Sequence, residues 1–153
     1  MQFTPFRLNL YLLKTIPIAW LAGIRVREIS SRQTVLTVRH RWINQNPFRS
    51  VYFGVLVMAG ELATGIPLFR EVLRSGESIS MLVIEHRSLF FKKATGRIRF
   101  EFRDYDKIRQ AIVHAVDTGN AVQLPLTVQG INEQGEIIGE FLYRWSIKKR
   151  RSG

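Results

Sequence analysis

Alternation of apolar and polar positions dominates the second half of the chain. In RIRFEFR, residues 97–103, Ile98, Phe100 and Phe102 alternate with Arg97, Arg99, Glu101 and Arg103, which predicts a strand with one buried and one solvated face. AVQLPLTVQGI and EIIGEFLYRWSIKK flank NEQG and read as a hairpin. ISMLVIEHRSLFFKK, rich in β-branched and large apolar residues, predicts a long strand that turns at 94–96 into the arginine-bearing one. Nearer the start, IRVREIS and TVLTVRH predict two strands joined at 30–32. Ile24, Val26 and Glu28 share a face of the first, and Thr34, Leu36 and Val38 a side of the second.

Helical spacing appears in three places. Residues 53–74, FGVLVMAGELATGIPLFREVLR, are apolar on nearly every side apart from Glu61, the pattern of a helix surrounded by protein. Gly54, Ala59, Gly60, Ala63 and Gly65 would let a sheet wrap closely around it, and Pro67 predicts a kink. Residues 3–20 predict a helix broken near Pro17, with Phe6, Leu10, Leu13 and Leu12 as its apolar stripe. Residues 104–118 form a short amphipathic helix that Asp104 or Asp106 can cap. Its stripe is Ile108, Ile112, Val113 and Val116, and Gly119 stops it. The tail, 148–153, reads as a solvated end. With no repeat and no linker, the chain is expected to be one α+β domain over 1–153: an N-terminal helical segment at 1–22, then a curved antiparallel sheet wrapped around the central helix.

Charge and composition narrow the partners without choosing one. Lys and Arg number 23 against 12 Asp and Glu, a net +11 that attracts polyanions, anionic membranes or a phosphate-bearing small molecule. The absence of cysteine excludes disulfides, a thiol nucleophile and Cys-ligated zinc. His40, His86 and His114 are scattered without metal-ligand spacing, so no metal is expected. No phosphate loop is present, Ser50 lacks a nucleophile-elbow context and Ser88 lies in a strand. The apolar run LYLLKTIPIAWLAG is interrupted by Lys14 and Pro17, too short to span a bilayer, and follows no basic region, which points to a cytoplasmic protein.

The chemistry converges on Glu61. An ionised Glu among Val, Leu, Met and Ala is costly, and burial should raise its pKa toward the range of a general base at neutral pH. Gly54 lies seven residues earlier, about two turns along the same helix face. Unpaired N–H groups at a helix start make an anion site, so those of Gly54 or Val55 are candidate oxyanion donors. A buried Glu paired with an Arg or Tyr for structural reasons is the plainer account, and Asn46 before Pro47 fits a turn as well as a catalytic role.

Residues 46–61, NPFRSVYFGVLVMAGE, resemble the motif of the phenylacetic-acid-degradation type acyl-CoA thioesterases of the hotdog superfamily. That motif reads N-P-x-G-x-x-H-G-G with an Asp or Glu seven residues after the last Gly. Asn46, Pro47, Gly54 and Glu61 match it, whereas Arg49, Tyr52 and Phe53 stand where Gly, His and Gly are usual. The YFG sequence before an apolar helix and the short helix at 104–118 resemble a thioesterase-like branch of the same superfamily.

The resemblance implies a hotdog fold and hydrolysis of acyl-CoA or another acyl thioester. Coenzyme A would enter only as part of the substrate, with no separate cofactor. Glu61 would be the general base, Asn46 a positioning group, and the Gly54 or Val55 N–H the oxyanion donor. In such enzymes the acid of one subunit works with the helix start of its partner, so a homodimer or dimer of dimers is expected. Tyr52, Phe53, Val55, Met58, Leu62 and Phe90 would line the acyl path. Arg97 and Arg99 are most simply a solvated strand face; on charge alone, their functional reading is contact with coenzyme phosphates or a neighbouring subunit. The competing reading is a non-catalytic acyl or lipid binder, supported by the bulky residues at 49, 52 and 53. Nucleic acid is not expected. A membrane surface, touched through Phe3, Phe6 and Trp20 with Arg7 and Lys14 at head groups, is a less favoured partner.

Overall fold

The structure, a computed structural model, describes residues 2–150. Two N-terminal helices, α1 (Pro5–Thr15) and α2 (Pro17–Leu21), precede strands β1 (Arg25–Ile29) and β2 (Thr34–Arg39). After a 3-10 turn at Trp42–Asn44 comes α3 (Phe53–Ser75), then β3 (Ile79–Phe90), β4 (Arg97–Phe102), α4 (Tyr105–Thr118), β5 (Val122–Ile131) and β6 (Ile137–Lys149). The strands form one antiparallel sheet in the order β1-β2-β4-β5-β6-β3, and α3 packs against β2, β4, β5 and β6. This is the hotdog arrangement, with β1 and β3 at the two edges.

The core lies between α3 and the inner face of the sheet. Ile98, Phe100 and Phe102 of β4 are buried, as are Phe141, Tyr143, Trp145 and Ile147 of β6. Two glycines let the sheet approach the helix. A Cβ on Gly60 would lie 2.6 Å from the Tyr143 hydroxyl, and one on Gly65 would lie 3.0 Å from the Trp145 ring. Tyr143 Oη donates to the Val57 carbonyl at 2.6 Å, and Trp145 Nε1 donates to Thr64 Oγ1 at 3.2 Å, so both polar tips are satisfied inside. α3 passes unbroken through Pro67.

Several expectations are corrected. In α1 the buried residues are Leu8 and Leu12, while Phe6, Leu10 and Leu13 point outward, because α1 lies along β1 on its other face. In α4, Ile108, Ile112 and the small Ala115 face the protein, and Val113 is exposed. Glu28 leaves the face of Val26 because a bulge shifts the register between them. Lys148 and Lys149 extend β6 opposite Ser80 and Ile79; residues 151–153 lie outside the described residues, as does residue 1.

A network with no local sequence signature ties α4 to α3. Glu71, 6% exposed, meets Arg109 at 3.0 Å and Arg70 at 3.4 Å, and Tyr105 Oη shares a 2.6 Å hydrogen bond with Thr34 Oγ1. This is the paired, structural type of buried Glu. Glu61 is not.

Candidate active site

The start of α3 is held by the loop before it. Asn46 Oδ1 accepts from the Phe48 N–H at 2.9 Å and the Ser50 N–H at 3.2 Å, and its Nδ2 donates to Ser50 Oγ at 2.9 Å. All of these bonds stay within the turn, so Asn46 shapes the loop. Asn44, buried and unnoticed in the sequence, donates to the carbonyls of Ala22 and Arg39 and accepts from the Arg41 N–H. Its own carbonyl accepts the Tyr52 N–H at 2.8 Å, which sets where α3 begins.

Arg49 adopts φ 59°, the conformation that glycine takes most readily. It occupies the position where the resembling motif carries Gly, so the backbone keeps the glycine geometry without the glycine. A non-glycine residue there costs roughly 1 kcal/mol. Arg49→Gly removes that strain but adds unfolded-chain entropy, so it should stabilise the fold by only about 0.5 kcal/mol and raise the thermal midpoint by about 1–2 °C, read by a calorimetric melt.

Among the described residues no side chain caps α3. The Val55 N–H is taken by the Tyr52 carbonyl at 2.9 Å, which removes Val55 as a donor. Among the described residues the N–H groups of Phe53 and Gly54 have no acceptor. The Tyr52 ring lies over Gly54, where a Cβ would sit 2.9 Å from it. Aromatic contacts run from Tyr52 to Phe53 (4.9 Å between centroids) and on to Phe90 (6.1 Å) and Phe141 (5.7 Å). A depression of about 350 Å³ opens beside the helix start, lined among others by Phe53, Leu56, Phe90, Lys92 and Lys93.

Glu61 lies two turns into α3, half-buried; its backbone carbonyl accepts from Thr64 Oγ1 at 3.0 Å, but its carboxylate has no hydrogen-bond or ion-pair partner among the described residues. Burial pushes its pKa up to about 7. It lines a cavity of about 190 Å³ whose other walls include Leu62, Ile66, Met81 and Trp145, roofed by Leu8, Tyr11, Leu12 and Ile16. Tyr143, which has no sequence signature of its own, stands beside Glu61, and burial, reinforced by the carboxylate, holds its phenol well above the usual range. The Tyr143 ring stacks on His86 at 6.2 Å. His86 and Ser88 pair with Tyr143 and Phe141 in the sheet, so both face the α3 side, and Ser88 Oγ is buried with no partner among the described residues.

The remaining candidates fall in different places. Leu62 lines the Glu61 cavity, Phe53 and Phe90 line the helix-start depression, and Met58 is partly buried against the core. Arg97 and Arg99 lie on the sheet face away from α3, in a separate depression with Arg27 and Thr37. The cations beside the helix start are instead Lys92, paired with Glu136, and Lys93, over the Phe48 ring. The Glu61 cavity and the helix-start depression share no residue. Within one chain the Glu61 carboxylate and the unpartnered N–H groups of Phe53 and Gly54 are therefore not joined.

Residues 7–147 match the family model described as Domain of unknown function (DUF4442). Among solved structures, the chain is similar to a protein of unknown function from Pseudomonas aeruginosa described as a probable thioesterase. The two are 26% identical, with a TM-score of 0.80 over 96% of this chain and 97% of that one. It is similar to a protein of unknown function from Chlorobaculum tepidum (17% identity, TM-score 0.81, 96% and 98% covered). It is also similar to a thioesterase from Haemophilus influenzae (13%, 0.66, 97% and 93%). The latter two likenesses speak for the fold alone. No curated protein matches the chain.

Proposed function

The chain belongs to the family described as Domain of unknown function (DUF4442), and from its thioesterase-like hotdog fold we propose that it hydrolyses acyl thioesters at a site completed by a second copy. The observation that carries this reading is Glu61, a carboxylate in an apolar cavity with no partner among the described residues, its pKa pushed up to about 7. A structural Glu in this fold looks like Glu71, fully paired. Glu61 is instead poised to exchange a proton near neutral pH.

In the proposed reaction Glu61 takes a proton from water as the water oxygen attacks the thioester carbonyl. The carbonyl oxygen becomes an oxyanion held by the Gly54 N–H of the facing subunit. Collapse breaks the carbon–sulfur bond, and the thiolate takes the proton back from Glu61, leaving a carboxylic acid and a thiol. An oxyanion donor of this kind is worth roughly 3 kcal/mol in a studied hydrolase.

A second copy is supported by the open edge. β3 borders the sheet and exposes Leu82, Ile84, Leu89 and Phe90, so pairing two such edges would cover apolar surface and unpaired backbone together. The acyl-CoA form of substrate fits Lys93 and Lys92 beside the helix start, where phosphates would meet positive charge.

Subunit complementation tests this reading. Glu61→Gln removes the base and Gly54→Pro removes the donor N–H, and proline is tolerated in a first helical turn. Each pure variant should be inactive in a thiol-release assay on acyl-CoA. Mixing them through a reversible unfolding step should restore activity, because each mixed dimer has one intact site. No recovery from mixed dimers shown to form by native mass spectrometry rules out the shared site. A non-catalytic acyl binder is the second reading, favoured by the Tyr52 ring over Gly54. Wild-type protein that binds acyl-CoA without releasing thiol would establish it.

A further inference from the structure

We propose that α1, α2 and the Trp42–Asn44 turn form a docking surface for anionic lipid bilayers, and that this surface is also the roof of the Glu61 cavity. α1 is apolar on two sides. Its inner residues Leu8 and Leu12 roof the cavity, with Tyr11 stacked on Phe69 at 6.3 Å. Its outer residues Phe6, Leu10 and Leu13 are 78%, 41% and 40% exposed, and the line continues on α2 with Ile18 and Leu21. The neighbouring turn adds Trp42, 84% exposed, and is pinned to the end of α2 by the Asn44–Ala22 hydrogen bond.

Charge on this side selects the partner. The segments that build the surface, residues 5–21 and 39–44, carry no Asp or Glu against Arg7, Lys14, Arg39 and Arg41. Arg7 and Lys14 are exposed on α1, and Arg41 is exposed next to Trp42. A short apolar ridge rimmed by cations and almost free of carboxylates complements an interface of acyl chains beneath anionic head groups. A protein groove would match the ridge but leave the uniform charge without a purpose.

The placement has a consequence for the substrate class, which rests on the thioesterase reading. Docking would set the roof of the cavity at the bilayer, so acyl thioesters long enough to partition into membranes would enter without crossing water.

Cosedimentation of the full chain with vesicles tests the surface. One set is phosphatidylcholine alone and the other an equal mixture with phosphatidylglycerol. Wild type should bind the mixed vesicles and much less the neutral ones. Arg7→Gln with Lys14→Gln should weaken binding roughly fivefold per cation, and Leu10→Ser with Ile18→Ser by roughly tenfold or more. These residues are exposed, and a circular dichroism melt checks that the fold is kept. Wild type that sediments with neither vesicle, or equally with both, overturns the proposal. So do apolar variants that bind undiminished, or that shift the native mass and thereby assign the ridge to contact between copies. Glu61→Gln should bind vesicles as wild type does, so failure of docking and failure of hydrolysis are read separately.

Discussion

Glu61→Gln should abolish thioester hydrolysis and at the same time stabilise the protein. A positioned general base contributes roughly 10²- to 10⁴-fold, so kcat should fall by that factor on any acyl-CoA the wild type accepts. In the wild type, kcat/KM should rise with pH through about 7 and then level, because only the ionised carboxylate can take a proton from water. The stability effect follows from the same burial. Glu61 in the folded chain holds its proton up to about 7, whereas unfolded it lets go near 4.5, so the folded state binds more protons between those values. Wild-type stability therefore falls as pH rises from about 4.5 to about 7, by roughly 3 kcal/mol in all. Gln carries no such term. Urea unfolding should show the variant more stable by up to about 3 kcal/mol at pH 8 and equal to wild type near pH 4.5. Equal stability at pH 8 would mean that Glu61 is well solvated, and the case for a poised base would go with it.

Phe141→Ala should cost about 4 kcal/mol of folding stability. Phe141 has no exposure and sits where α3, β4 and β3 converge on β6. Its ring lies 5.5 Å from Phe100 and 5.7 Å from Phe90, between centroids. Both backbones beside it are already close: a Cβ on Gly60 would come within 3.2 Å of its Cβ, and one on Gly139 within 3.1 Å of its ring. The strand ladders on either side resist collapse, so much of the space left by the ring would stay empty. Phe141→Leu keeps most of the volume and should cost about 1 kcal/mol. Denaturant midpoints at unchanged slope check both. The larger loss should also loosen Phe90, whose ring leans on Phe141 at the edge of the helix-start depression.

Much of this fold was legible because its strongest signals are unambiguous. Strict alternation in β4 admits only a half-buried strand, and an all-round apolar run of over twenty residues admits only an enclosed helix once strands surround it. The same alternation already placed Arg97 and Arg99 opposite Phe100, hence away from the helix; the phosphate role suggested for them followed net charge rather than pattern. In α1 the sequence is ambiguous for a different reason. Phe6, Leu8, Leu10, Leu12 and Leu13 put apolar residues on two sides, and only packing against β1 decides which is inner. Ala115 was outranked by Val113 on hydrophobicity, although a close helix contact favours the smaller residue.

At the candidate site, Glu61 was legible as a charge in the wrong company. Its neighbours were not. Tyr143 comes from a strand eighty residues away, and its hydroxyl is ordered by the Val57 carbonyl, a backbone group with no sequence signature. Asn44 is one polar residue in a polar loop, and only tertiary contacts reveal that it fastens three segments together. Arg49 carried a misleading signal, since its side chain says nothing of the left-handed backbone beneath.

The open rim at β3 has a consequence for the life of the newly made chain. Twelve residues of unpaired ladder with Leu82 and Ile84 turned outward are a template onto which any extended segment could zip, the first step of aggregation. The strand carries its own interruption. A bulge between Val83 and Glu85 breaks the ladder's rhythm, and Glu85, His86 and Arg87 follow in the middle of the run. These three act as gatekeepers, dividing the rim into halves each too short to seed a stack, so that a chain with this edge uncovered remains recoverable.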